Sequence, residues 1–188
     1  MTNQLENGKS EDLRRTAAVA ADYETLQGLV TATTGAGLLV WAFGSSSWGA
    51  IVIALGVAVG VGYYQKRFGK AVSRHSAVLT ITYALVGVLV CGTAYSIDRT
   101  IGLPVLLFPL FAAAFLGVGF RWGYRHVGVG PVHWIALAFV VLTAFTPLAG
   151  LDAFGAATGL ASLGVAMIAV GVVDHLRLVR SMKPVPRD

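Results

Sequence analysis

Long apolar runs alternate with short polar ones along almost the whole chain, and this alternation predicts the architecture. No Asp, Glu, Lys or Arg falls within the stretches of about 26–43, 49–64, 77–95, 101–120, 132–147 and 153–173. Each approaches the roughly 20 residues that an α-helix needs to cross a hydrocarbon layer about 30 Å thick. The pattern therefore predicts an all-α integral membrane protein with six transmembrane helices in residues 26–178. Residues 1–25 form a polar tail of mixed charge, expected to be helical in part from Glu11 to Glu24, and residues 179–188 form a basic tail.

The turns between the runs are of two kinds. Those after the first, third and fifth runs are short and nearly free of charge: Gly44 to Ser47, then Asp98 with Arg99, then Leu148 to Asp152. Those after the second and fourth are rich in bases and rings, with Tyr63, Tyr64, Lys66, Arg67, Lys70 and Arg74 in one, and Arg121, Trp122, Tyr124 and Arg125 in the other. Placing the basic turns and both tails in the cytoplasm puts every one of the 14 Lys and Arg residues there except Arg99. Basic residues are retained on the cytoplasmic side, so both termini are expected to be cytoplasmic. The unit is then a helical hairpin entered and left from the cytoplasm, used three times. Gly60-Val61-Gly62, Gly117-Val118-Gly119 and Gly171-Val172-Val173 close the units at nearly equal intervals.

Small residues mark where helices should approach. Gly56 and Gly60 stand at GxxxG spacing, as do Gly155 and Gly159, and these four are expected at helix contacts, where a missing side chain lets backbones close in. Pro109 is expected to remove a backbone hydrogen bond and bend the fourth span, with Pro104 in its first turn.

Composition narrows the function classes. With 56% hydrophobic and 12% charged residues the chain lies far from a soluble domain, for which about 25% charged is usual. The longest polar segment is too short for a nucleotide-binding or DNA-binding module. The formal charge of +5 sits beside apolar runs, where cytoplasmic retention and anionic lipid account for it, and no nucleic acid is expected as a partner. Cys91 is the single cysteine, so no disulfide or dithiol pair forms within one chain.

Candidate chemistry is sparse. No ionisable group sits in the middle of a span, which disfavours an ion-coupled pump. His75, His126, His133 and His175 share one depth without metal-ligand spacing, and Asp174 and His175 point about 100° apart on a helix, too far to pair directly. No nucleophile, CxxC, HExxH or phosphate-loop motif occurs, so no catalytic residue, metal or cofactor is assigned. The expected function is that of a small transport-associated or permease-like subunit in the cell membrane, acting with a partner. Its pathway would be polar, lined by Thr31, Thr34, Thr80, Tyr83 and Thr93. The alternative is a non-transporting anchor or sensor with a closely packed bundle, recruiting a soluble regulator or binding anionic lipid. The candidate contacts for a protein partner or lipid headgroup are Tyr63, Tyr64, Lys66, Arg67, Lys70, Arg74, Arg121 and Arg125, since ring and charge together grip a headgroup. The bilayer itself, a protein at the cytoplasmic face and a second copy of the chain are the partners considered.

Overall fold

Gly28 opens the first long helix because no side chain could fit there: an added Cβ would collide with the backbone of the last helix, at Gly171 O and His175 N. The computed structural model describes residues 17–23, 25–68, 74–151 and 155–182, the side chains of 74–77, 79 and 80 excepted. Every regular element among them is helical. After a helical stretch at 17–21 come α1 (Gly28–Phe43), α2 (Ser46–Phe68), α3 (Arg74–Ile101), α4 (Leu107–Gly123), α5 (Pro131–Thr143), a 3-10 turn (Pro147–Ala149) and α6 (Ala156–Ser181). Of the helices, α2, the 81–101 part of α3, and α6 are long and apolar enough to cross a membrane. Their outward faces carry Ile51, Leu55 and Val59 on α2 and Leu85 and Leu89 on α3. Such faces suit hydrocarbon surroundings.

The centre of the fold is the antiparallel pair α1 and α6. Gly28 and Gly35 lie two turns apart on one face of α1, and Gly164 and Gly171 answer them on α6. A Cβ at Gly35 would stand 2.5 Å from Gly164 O, and one at Gly164 would stand 2.8 Å from Gly35 O. Backbone meets backbone, which maximises dispersion contact where hydrophobicity alone cannot sort one apolar helix from another. The opposite face of α1 takes α2 in the same way: a Cβ at Gly49 would lie 2.8 Å from Gly37 O. Gly56 lies over Thr33 and Gly60 over Val30, while Gly159 receives Phe108 and Pro109. Gly155 is different. It precedes α6 at φ +48° with open space around an added Cβ, so it supplies a left-handed turn rather than a helix contact.

The α3–α4 junction also departs from expectation. Asp98 and Arg99 do not turn the chain but continue α3, and the helix breaks only after Ile101. Pro109 falls in the first turn of α4, where its missing N–H has no intrahelical partner to lose, so it does not bend the helix. The first N–H groups of α4 are satisfied from a distance instead: Leu107 N and Phe108 N donate to the two oxygens of Asp98, each at 2.8 Å. Helix α3 leans on α4 and touches α6 only slightly, and among the described residues it has no close backbone approach to α1 or α2.

Candidate functional site

The space left between α3 and the rest is a cleft of about 750 Å³. Its middle is hydrocarbon and sulfur, from Leu38 of α1, Val88 and Cys91 of α3, Leu116 of α4, and Leu163 and Met167 of α6. Hydroxyl groups occur toward its ends. Thr25, Thr31, Tyr83 and Tyr124 line it near the end where α2, α4 and α6 finish, and Tyr95 and Ser96 line it near the other. Three of these hydroxyls are already used: Tyr83 donates to Phe115 O, Ser96 to Gly92 O at 2.9 Å, and Tyr124 to Asp174. The expected polar lining is not assembled. Thr34 and Thr93 turn back on their own helices, each 2.8 Å from a carbonyl oxygen, and the Thr80 side chain lies outside the described residues. A closely packed bundle is not observed either.

Tyr124 joins the cleft to a buried polar cluster. Its ring lines the cleft and its hydroxyl donates to Asp174 Oδ2. Asp174 and His133 are both 0% exposed, and His133 Nε2 lies 3.2 Å from Asp174 Oδ1 and 3.4 Å from Oδ2. The elements explain the meeting. Gly123 lets the end of α4 close on Thr25, leaving Tyr124 as its C-cap. Pro131 starts α5 with a preset φ, so that His133 enters in its first turn. The His133 ring then packs edge-on against Phe120 and Tyr124, with centroids 5.0 and 4.5 Å away. A carboxylate removed from water requires donors around it; the phenol supplies one to Oδ2, while Asp174 Oδ1 and His133 Nδ1 find no hydrogen-bond partner among the described residues. The arrangement can hold a charge or pass a proton. It has no nucleophile, and among the described residues no three His, Cys, Asp or Glu side chains are placed to hold a metal.

Further polar bonds tie down this end of the molecule. Asp22 accepts from His126 N, Val127 N and His126 Nδ1, all at 2.8 Å, fastening the N-terminal stretch to the loop between α4 and α5. Tyr23 donates to Tyr64 O at 3.1 Å, and burial pushes the Tyr23 hydroxyl up from its ordinary pKa. Tyr64, expected at a headgroup, is instead fully buried. Its hydroxyl accepts from Leu29 N at 3.0 Å and meets His175 Nδ1 at 2.8 Å, so it pins α2 to α1 and α6. Asp174 and the adjacent His175 thus go to different partners.

The other expected contacts are dispersed over this end. Lys66, Arg121 and Arg125 are exposed. Arg67 donates to Tyr63 at 2.6 Å and lies 5.6 Å from the Phe68 ring centroid. Arg74 begins α3, its side chain not described, and Lys70 and Asp152 lie outside the described residues, as do residues 1–16 and 183–188. Sequence reasoning placed Asp22, Tyr124, His133, Asp174 and Arg177 at one end of the molecule but paired none of them with another. The available signal was the depth that Asp174 and His133 share, two ionisable residues at the ends of apolar runs. Comparison with protein families, characterised proteins and solved structures found no match to this chain.

Proposed function

We propose that the chain is a six-span protein of the cell membrane, both termini cytoplasmic, that takes a long amphiphile sideways from the bilayer into the cleft. This is a transport-associated role with lipophilic cargo. The cleft carries the reading. Its volume of about 750 Å³ falls within the roughly 300–1,000 Å³ of small-molecule sites, which are mostly apolar with a few polar groups. An apolar middle with hydroxyls toward the ends matches a hydrocarbon chain with a polar terminus. A pathway for polar solutes draws no support from such walls, and a simple anchor has no need of the gap.

The topology rests on charge, since all Lys and Arg but Arg99 fall on one side in this arrangement. The shorter helices fit it with local adjustment. At about 1.5 Å per residue, the 13 residues of α5 cover about 20 Å, and the turn through Ala149 continues toward the far side. Modest thinning of the bilayer absorbs such a mismatch at a fraction of a kcal/mol per Å. Exposed Lys66, Arg121 and Arg125 would meet a soluble partner or anionic headgroups, at about 1 kcal/mol per basic residue.

The test is photo-crosslinking of the full chain in phosphatidylcholine nanodiscs with trace diazirine-bearing fatty acid. Labelling should saturate at Cys91 and Met167 on the cleft wall and be displaced by excess unlabelled fatty acid, whereas labelling at outward Leu85 and Leu89 should rise without saturation. Gly92 lines the cleft with no atom within 4 Å of an added Cβ, so Gly92→Trp should fill the space and remove only the saturable component. Non-saturable labelling everywhere would overturn the reading.

A further inference from the structure

A second cavity, of about 320 Å³, opens at the same end but outside the cleft, lined by Ala18, Val19, His126, Val127, Arg177 and Ser181. We propose that it binds a phosphate group through Arg177. The proposal does not depend on what the cleft holds. Arg177 stands three positions after Asp174 on α6, a spacing that puts them on one face and within pairing reach. Yet no carboxylate among the described residues lies within 4.0 Å of it: Asp22 is taken by His126 and two backbone N–H groups, and Asp174 meets Tyr124 and His133 while its Oδ1 finds no hydrogen-bond partner among the described residues.

The guanidinium lies across Gly130, where an added Cβ would strike Arg177 Nη2, and Gly130 sits at an ordinary negative φ of −83°. Glycine there makes room for the arginine. Arg177 Nη1 is shut off from solvent and has no acceptor among the described residues. A buried charged donor without a partner is costly, and the planar fork of a guanidinium matches two oxygens of a phosphate better than any other common anion-binding side chain. The Ser181 hydroxyl and the His126 ring add polar groups to the wall. The carbonyl end of α6 opposes an anion, so a full positive charge is required, and Arg177 provides it.

The phosphate could belong to the free ion or to a lipid headgroup at the membrane edge. The experiment separates these with the full chain: thermal unfolding in detergent with sodium phosphate against sodium chloride at equal ionic strength, and in nanodiscs with or without phosphatidylglycerol. The expected result is stabilisation of the parent by one of the two, with apparent affinity at least tenfold weaker in Arg177→Gln and retained in Arg180→Gln, a neighbouring exposed charge. Response to phosphate identifies the free ion, and response to phosphatidylglycerol alone identifies the headgroup. Should Arg177→Gln fail to fold, Gly130→Ala, which displaces the guanidinium, and Ser181→Ala serve instead, and each should weaken the response. Equal responses in the parent and these variants, or none in the parent, would overturn the proposal.

Discussion

Replacing Gly35 with Ala tests whether the α1–α6 crossing holds the molecule together. The added Cβ would stand 2.5 Å from Gly164 O, 2.9 Å from Ile168 N and 3.0 Å from Ile168 Cγ1. Two of these atoms are backbone and cannot rotate away, so the helices must part by several tenths of an ångström along a contact that also contains Gly28 and Gly171. Overpacking of this kind costs about 1–3 kcal/mol. Alanine is also a better helix former than glycine, by about 0.8–1.0 kcal/mol, and this offsets part of the loss. Gly62→Ala isolates the second effect, because Gly62 lies in α2 with nothing within 4 Å of an added Cβ. The difference between the two variants is then the steric cost, expected to be about 1–3 kcal/mol, or roughly a 5- to 150-fold change in the folding constant. Reversible unfolding in mixed dodecylmaltoside and dodecyl sulfate micelles, followed by far-ultraviolet circular dichroism, measures it. Gly164→Ala should behave like Gly35→Ala, since the contact is reciprocal. Agreement of all three variants within about 0.5 kcal/mol, the usual scatter of independent sites, would refute the reasoning.

Two further outcomes follow from the site and the topology. Tyr124→Phe removes a donor from the buried Asp174 carboxylate and should cost about 1.5–3 kcal/mol, the range for hydrogen bonds to charged groups; a loss below about 0.5 kcal/mol in the same unfolding assay would show the bond to be dispensable. In a Cys91→Ala background, cysteines at Ser46 and Thr100, both exposed, should react with an impermeant thiol reagent on intact cells while one at Ser181 does not, and the reverse pattern would invert the proposed orientation.

The helical class was legible in the sequence because an uncharged run near 20 residues has few other fates, but helix ends were less so: α3 runs six residues past its expected end, and α6 eight. Charge in the turns was equally plain. Which residues meet was not. In a water-soluble helix an apolar stripe announces the buried face, but where the surroundings are also hydrocarbon, inward and outward faces look alike and the sequence does not fix helix rotation. Gly155 and Gly28 illustrate this: both are glycines at the edge of apolar runs, yet one makes a left-handed turn in open space and the other admits a neighbouring backbone. The polar cluster follows the same logic. Tyr64 and Tyr63 are adjacent tyrosines in one basic turn, and only the rotation of α2 decides that Tyr64 is sealed between α1 and α6 while Tyr63 receives Arg67. Asp174 could be placed at the end of a run from sequence alone, but its partners come from residues 50 and 41 positions away. The number, kind and charge bias of the apolar segments can be read along the chain, since these depend on composition along one dimension. The tertiary structure decided the cleft, the glycine crossing and the buried carboxylate, since each depends on the azimuth of one helix against another, which hydrophobicity does not encode when both sides of a helix are apolar.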